Sequence, residues 1–237
     1  MLKLSNRMRA IANMVEPCEM LVDVGTDHGF LPIYLVKNHI CTKAIAVDVN
    51  QGPLMRAQEH IRQEELTNQI TTRLSNGFMA IEPGEAQAAI IAGMGGLLME
   101  SILSNGVEVI ANMSQLILQP QSDFLSFRRF LYRIHCEILE ENMMIEEGKY
   151  YTIFKARPNS ECSESDFERL RPEEKRYGCY FFANPNDVFK QYLIHERKVN
   201  AQVKQRLLLA KDCEKIEIRK KEVEEKLSII QSALNRM

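Results

Sequence analysis

Residues 21–32 read LVDVGTDHGFLP, and this stretch decides the fold of the first half of the chain. An apolar strand ends at Val24 and leads into a turn that contains Gly25 and Gly29. Glycines at these positions let the backbone approach a ligand closely and leave backbone amides free to hold it. Pro32 predicts that a helix begins near residues 31–32, because proline suits the first turn of a helix. The stretch therefore predicts either a ligand-binding strand–turn–helix unit or a tight turn without a ligand.

Short apolar segments alternate with helical patterns around this stretch, which is typical of an α/β sheet with parallel crossovers. We predict five such strands, at residues 20–24, 43–48, 69–74, 88–92 and 115–119. Two later segments, 136–144 and 149–156, are separated by only four residues. Four residues cannot hold a crossover helix, so these two segments are predicted to form an antiparallel hairpin.

The pattern changes near residue 160, where we place the boundary between domains of residues 1–160 and 161–237. No Gly or Pro occurs after Asp187, and apolar residues recur at three- and four-residue steps. They define two seams, first Phe189, Leu193, Val199, Val203 and Leu207, and then Ile216, Val223, Leu227, Ile230 and Leu234. We predict two antiparallel helices that turn near residues 211–214, because one straight helix would be ~75 Å long. This coiled-coil hairpin is either structural, including a dimer contact, or part of a substrate-binding surface.

Length and composition exclude several classes of protein. The 237 residues are 45% apolar with a net charge of −2, which is ordinary for a globular chain with a sizeable core. The longest stretch without charged or strongly polar side chains has 12 residues, 88–99, whereas a membrane span needs ~20. Six cysteines lie at least 17 residues apart, which favours reduced thiols over disulfide bonds or a zinc site. We expect a cytoplasmic protein without a secretory signal and without a metal.

The ends of the other strands extend the predicted site. Asp48 ends the second strand, and a carboxylate there can accept both ribose hydroxyl protons of a nucleoside, whether from NAD or from S-adenosylmethionine. The glycines after the first and fourth strands form no complete G-x-G-x-x-G dinucleotide fingerprint, and an acid before the first glycine is usual in S-adenosylmethionine sites. The predicted cofactor-binding residues are Asp23, Gly25, Thr26, Gly29, Asp48, Val49, Asn76, Gly77, Gly93, Met94 and Gly95.

Four segments of the sequence carry a resemblance to a known family. They are LSNR at residues 4–7, DVGTDHGFLP at 23–32, AGMGG at 92–96 and LILQP at 116–120. Together they resemble the bacterial tRNA (adenine-22-N1)-methyltransferases. The resemblance covers the whole chain and implies a Rossmann-like class I methyltransferase sheet of seven strands, followed by a C-terminal helical coiled coil. It also implies S-adenosylmethionine as the cofactor and tRNA as the partner. Phe30 departs from the tyrosine that this family often has.

The implied reaction needs alignment rather than a general base, because N1 of adenine has a free lone pair at neutral pH. The target adenine must leave any base stack before it reacts. Asp27 and Gln119 are predicted to accept a hydrogen bond from its N6 amino group, and His28 is predicted to shape the pocket. Alternatively, Asp27 binds the amino group of the cofactor, His28 caps the following helix, and Gln119 satisfies the backbone.

Positive surface for tRNA is hidden in the near-zero net charge. Residues 1–160 carry a net charge of −4 and residues 161–237 carry +2. Local basic clusters matter more than these totals for binding nucleic acid. The predicted RNA-binding residues are Lys3, Arg7 and Arg9 near the N-terminus and Arg129 and Arg133 on one helical face, with solvated surface side chains as the alternative.

Three other functions stay open from the residues alone. The first is methyl transfer to another RNA or to a small molecule. The second is a nucleoside-binding regulatory module with a partner site on its coiled coil. The third is a nicotinamide oxidoreductase, which the incomplete fingerprint and the terminal hairpin disfavour. We expect a monomer that binds tRNA and associates with no membrane.

Overall fold

The computed structural model describes residues 4–209 and 213–237, which form two compact units that divide after Arg169. The division lies beyond the predicted boundary at residue 160, because a short helix at 164–169 belongs to the first unit. Its Phe167 packs against the ring of Tyr132, with ring centroids 5.6 Å apart.

The first unit alternates strands and helices. Its strands are β1 (Cys18–Val24), β2 (Cys41–Asp48), β3 (Ile70–Leu74), β4 (Ala88–Met94), β5 (Gln115–Pro120), β6 (Cys136–Glu146) and β7 (Lys149–Pro158). Its helices are α1 (Asn6–Asn13), α2 (Phe30–Lys37), α3 (Gln51–Gln63), α4 (Gly96–Asn105), α5 (Val107–Ile110), α6 (Phe124–Arg133) and α7 (Glu164–Arg169). All the predicted strands, including the closing hairpin, are present.

The seven strands form one sheet in the order β3-β2-β1-β4-β5-β7-β6. Neighbouring strands from β3 to β5 are parallel, whereas β7 is antiparallel to both β5 and β6. Helices cover both faces, so the central strands are mostly apolar, and all six residues of β5 are buried. This confirms the predicted Rossmann-like sheet with a terminal hairpin.

The direction of winding reverses between β1 and β4. From β1 the chain proceeds to β2 and β3 on one side, and it then returns to β4 and β5 on the other. In open α/β sheets a ligand binds outside the carboxyl ends of the strands at such a switch point. The turns after β1 and β4 therefore face the same crevice, as the sequence predicted.

The second unit consists of helices α8 (Pro172–Tyr177), α9 (Tyr180–Ala183), α10 (Asp187–Leu208) and α11 (Glu214–Leu234). Lys204 of α10 forms an ion pair of 2.9 Å with Glu224 of α11, and Arg197 bonds Gln231, so the two long helices are antiparallel. Residues 211 and 212 of the predicted turn at 211–214 lie outside the described residues, and α11 already begins at Glu214.

The two predicted seams are only partly buried. Phe189, Leu193, Val223 and Ile230 are buried, whereas Val199 is 42% exposed and lies off the packed face. The small helices α8 and α9 were not predicted from the sequence. Phe181 of α9 stacks on Phe189 of α10, with ring centroids 4.6 Å apart. These aromatic contacts show that the unit has a core of its own beside the two long helices. Among the described residues, no helix is long and apolar enough to span a membrane.

Candidate functional site

A cavity of about 400 Å³ lies at the carboxyl ends of β1 to β5, in the crevice at the switch point. Its walls are the turns that follow these strands, together with one face of α1. Nine of the predicted cofactor-binding residues line it, namely Asp23, Gly25, Thr26, Asp48, Val49, Asn76, Gly77, Gly93 and Met94. Gly29 and Gly95 do not line it. Gly29 instead packs beside Ala57, and Gly95 precedes the first turn of α4.

Asp23 is a buried carboxylate at the end of β1. Burial raises its pKa to about 6, since it penalises the charged form, and the nearby charge of Asp48 acts in the same direction. The hydroxyl of Thr26 donates a hydrogen bond of 2.6 Å to Asp23 Oδ2 and partly offsets this rise in pKa. The pocket wall therefore holds an acid that changes charge close to neutral pH.

Asp48 is the second buried carboxylate and ends β2. Its Oδ1 accepts a hydrogen bond of 2.8 Å from the backbone N–H of Asn50, which fixes the side chain. The backbone nitrogen of Asp27 lies 3.4 Å from Oδ2, a longer and weaker contact. Lone pairs on both oxygens are left to accept further hydrogen bonds, which suits a pair of neighbouring hydroxyl groups.

Gly25 allows the turn after β1 to pass directly along the pocket. Its φ of +76° is a left-handed conformation that a side chain disfavours. A Cβ atom at this position would also collide with the terminal methyl of Met94. Because residue 25 is a glycine, only backbone atoms form the pocket wall at this position, beside Asp23, Asp48 and Met94.

Arg7 of α1 reaches the pocket from a distant part of the sequence. Its Nη1 donates a hydrogen bond of 2.8 Å to Gln119 Oε1, and its guanidinium lies 5.5 Å from the ring centroid of Tyr151. Its backbone N–H also bonds Glu146 Oε1 at 3.2 Å. These contacts hold the positive charge in one place at the pocket wall.

Gln119 is wholly buried and does not line the pocket. Its Oε1 accepts from Arg7, and its Nε2 donates to the carbonyl oxygen of Pro120 at 2.9 Å. The structure therefore does not bring the Gln119 amide to the pocket wall, where it was predicted to contact an adenine. Strand β5 is buried on both faces, and both hydrogen-bonding groups of the Gln119 amide are used within the protein.

Asp27 and His28 follow the first glycine of the turn. Asp27 lines the pocket, but its side chain is 60% exposed. Its Oδ1 accepts a hydrogen bond of 3.0 Å from Arg56 Nη2. His28 is not a lining residue. Its ring stacks on Phe30 and His60, with centroid distances of 5.1 and 5.7 Å. Its buried Nδ1 has no hydrogen-bond partner within the described chain. His28 is therefore part of an aromatic stack beside the pocket.

Among the predicted RNA-binding residues that the structure describes, Arg7 alone lines the pocket. Arg9 is exposed on α1. Arg129 forms ion pairs with Glu164 and Glu168, so an RNA phosphate would have to compete with two carboxylates for it. The Arg133 guanidinium lies 5.3 Å from the ring centroid of Phe130. Lys3 lies outside the described residues.

Several lining residues were missed from the sequence. Met8 and Ile11 of α1, Leu98 and Ile102 of α4, and Leu31 of α2 form apolar parts of the wall, and Gln121 follows β5. The four-residue spacing of Leu98 and Ile102 was a usable signal of one helical face. Nothing in the sequence distinguishes Gln121 from other loop glutamines. Over residues 4–209 and 213–237, no three His, Cys, Asp or Glu side chains are arranged to hold a metal ion.

The fold and the pocket together define a class of protein. A mostly parallel seven-stranded sheet with a terminal antiparallel hairpin, and an acid–glycine turn at its switch point, are the features of a class I methyltransferase domain. A family model described as a methyltransferase domain matches residues 4–154, and the chain belongs to this family.

Individual relatives are similar over their whole length. The tRNA (adenine(22)-N(1))-methyltransferase of Bacillus subtilis strain 168 is 29% identical over 234 residues, which are 99% of this chain and 98% of that protein. The crystal structure of the B. subtilis M1A22 tRNA methyltransferase TrmK has a TM-score of 0.87 at 27% identity and covers 99% of this chain and 100% of its own. M. capricolum TrmK, solved with the cofactor product S-adenosyl-homocysteine, has a TM-score of 0.84 at 27% identity, with 98% of each chain covered.

Proposed function

We propose that this protein transfers a methyl group from S-adenosylmethionine to N1 of an adenine in tRNA, the adenine at position 22. The observation that carries the proposal is the placement of two buried carboxylates, Asp23 and Asp48, on one pocket that is also walled by Gly93 and Met94. The relatives that align over nearly the whole chain are tRNA methyltransferases, and this similarity supplies the proposed substrate and position.

The residues present fit S-adenosylmethionine. The cavity of about 400 Å³ is large enough for a nucleoside-sized ligand. Asp48 would bind the ribose hydroxyls, Asn76 would bind the adenine edge, and Asp23 would lie toward the positively charged part of the molecule. Gly25 leaves the space beside them free of a side chain. When bound there, S-adenosylmethionine supplies an electrophilic methyl group on its sulfonium.

The protein's own contribution is to orient the acceptor and to exclude water. Apolar side chains of Leu31, Leu98 and Ile102 line the pocket and limit the access of water to the reacting atoms. N1 of adenine needs no general base, so no side chain has to remove a proton. The main cost is extraction of the target adenine from its stack, a few kcal/mol.

The charge distribution supports binding of RNA. Residues 170–237, the second unit, contain 15 basic and 10 acidic residues, a net charge of +5, whereas residues 1–169 have a net charge of −7. We propose that the second unit and the exposed Arg9 attract the tRNA backbone, which carries a high density of negative charge. We propose a cytoplasmic location, because tRNA is the proposed substrate. We also propose that the protein is a monomer, and measurement of its molar mass by light scattering tests this.

Mapping of reverse-transcription stops tests the proposal. The protein is incubated with S-adenosylmethionine and a set of unmodified tRNAs, and the tRNAs are then reverse transcribed. A methyl group on N1 blocks Watson–Crick pairing, so we expect one new stop, next to adenine 22. A stop at another position would show that the target is wrong, and the absence of any stop in every tRNA would contradict methylation at N1.

A further inference from the structure

The pocket has two sides, separated by β1 in the sheet. Asp48 and Asn76 follow β2 and β3, and with Asp23 they form what we call the donor side. Gly93 lies near the end of β4 and Gln121 follows β5, both on the opposite flank of β1, and with Arg7 they form the acceptor side. If the nucleoside of the donor occupies the Asp48 side, as the proposed function requires, the target base must enter on the acceptor side.

Two polar side chains of the acceptor side meet over Gly93. A Cβ atom on Gly93 would lie 3.4 Å from Arg7 Nη1 and 3.7 Å from Gln121 Nε2, so both groups border the space above this glycine. Arg7 is already engaged by Gln119 and Tyr151. The side-chain amide of Gln121, by contrast, makes no hydrogen bond to any described residue, and its backbone N–H is fixed to the Met94 carbonyl oxygen at 2.8 Å.

An amide in this position matches one edge of adenine. A glutamine can accept a hydrogen bond from the N6 amino group through Oε1 and donate one to N7 through Nε2. Guanine presents acceptors at both O6 and N7, so it cannot satisfy the amide oxygen. Binding through N6 and N7 leaves N1 unpaired, which is the atom that must react.

We propose that Gln121 is the specificity-determining residue that selects adenine, through a bidentate contact with N6 and N7. The inference rests on the proposed function and adds a residue to it. Gln119 and Asp27, which were predicted for this role from the sequence, have other partners. Gln119 is buried and accepts a hydrogen bond from Arg7, and Asp27 forms an ion pair with Arg56. During transfer the bond from N1 to the methyl carbon forms as the carbon–sulfur bond breaks, its electron pair stays on sulfur, and no proton has to leave.

The test combines protein variants with a change of one atom in the substrate. Two tRNAs are prepared, one with adenine and one with 7-deazaadenine at the methylated position, and kcat/KM is measured for both. The proteins are the wild type, Gln121→Ala, Gln121→Glu and the control Gln69→Ala. Gln69 is an exposed glutamine before β3 that does not line the pocket. Titration of each protein with S-adenosylmethionine reports whether its donor side is intact.

We expect Gln121→Ala to lower kcat/KM on the adenine tRNA ~10- to 100-fold, with unchanged affinity for S-adenosylmethionine. Replacement of adenine by 7-deazaadenine should lower kcat/KM of the wild type ~3- to 10-fold more than it lowers kcat/KM of Gln121→Ala. Because any change in the basicity of N1 affects both proteins equally, it cancels when the two losses are compared. Gln121→Glu should prefer 7-deazaadenine, because its carboxylate repels the lone pair of N7. Gln69→Ala should behave as the wild type.

Equal costs of the N7 deletion in the wild type and in Gln121→Ala would overturn the assignment, and so would full activity of Gln121→Ala. Both results leave the proposed function intact, because the wild type still methylates the adenine tRNA. If the wild type itself methylates no tRNA, the proposed function fails, and the assignment of Gln121 fails with it.

Discussion

The donor side and the acceptor side of the pocket hold their polar groups by different means. On the donor side, Asp23 is bonded by Thr26 and Asp48 by Asn50, so each carboxylate is fixed by a residue two or three positions further along the chain. On the acceptor side, Arg7 is fixed by Gln119, 112 residues away. Each donor-side carboxylate is thus oriented mainly within its own turn, whereas Arg7 on the acceptor side is oriented only once distant elements of the chain have packed together.

Removal of the second unit gives the largest expected effect and tests whether the donor side stands alone. Deletion of residues 170–237 removes a net charge of +5 and should lower kcat/KM for tRNA at least ~100-fold. The affinity for S-adenosylmethionine, measured by calorimetry, should stay within about threefold, because Asp23, Asp48 and Asn76 all belong to the first unit. A cut at residue 187 would be a poor substitute, since it separates Phe181 from Phe189. Full methylation by the truncated protein would limit the second unit to a structural role.

Asp48→Ala should weaken binding of S-adenosylmethionine ~100-fold, because two hydrogen bonds to a charged oxygen pair are lost. Asp48→Asn retains one acceptor and should lie between this variant and the wild type. Glu59→Ala, which changes an exposed carboxylate on α3, is the matched control and should bind as the wild type does. Unchanged affinity of Asp48→Ala in calorimetric titration would show that the nucleoside lies elsewhere.

Arg7→Ala should lower kcat/KM for tRNA ~30-fold while it leaves the affinity for S-adenosylmethionine unchanged. Gln119→Leu should lower kcat/KM for tRNA about tenfold. The loss is smaller than for Arg7→Ala because the guanidinium is no longer held in place but is still present. Arg9→Ala on the same helix lies outside the pocket and should cost about threefold, mainly at low salt. Equal losses for Arg7→Ala and Arg9→Ala would reduce Arg7 to a general phosphate contact.

The pH dependence of donor binding through Asp23 should be smaller than the effects of Asp48→Ala and Arg7→Ala. Its pKa of about 6 lies above the ordinary value of 3.8, so protonation stabilises the free folded protein, and this stabilisation is lost as the pH rises from about 4 to 6. A cationic ligand prefers the ionised form, so its affinity should fall ~10-fold between pH 7.5 and pH 5. Asp23→Asn should bind more weakly and show a flat profile over this range. A wild-type profile that is equally flat would contradict the role of Asp23.

The two sides also differ in how well they could be predicted. The acid–glycine turn after β1 was recognisable from the sequence because its residues are neighbours in the chain, and Asp48 was recognisable because it ends an apolar strand. The contact of Arg7 with Gln119 was not, since both were predicted to contact RNA or adenine directly, and only the pairing of distant elements shows that one positions the other. Gln121 was missed for the same reason, because a loop glutamine has no signature until Gly93 is beside it.

The fold was predictable to a similar extent. The gap of only four residues between the predicted segments 136–144 and 149–156 required a hairpin, and the alternation of strands and helices required a parallel sheet. The small helices α8 and α9 were missed because their aromatic residues follow no period, and their packing against Phe189 of α10 depends on tertiary contacts. Val199 matched the apolar spacing but is exposed, because spacing alone does not identify which residues of a long helix have a neighbour.

The most direct test of the account is the identity of the nucleoside that the protein produces. Unmodified tRNA with adenine at position 22 is incubated with the wild type and with methyl-labelled S-adenosylmethionine, then digested and separated by liquid chromatography with mass spectrometry. We expect about one labelled 1-methyladenosine per tRNA, and none when adenine 22 is replaced by guanine. Label in N6-methyladenosine, or undiminished label in the guanine-substituted tRNA, would contradict it.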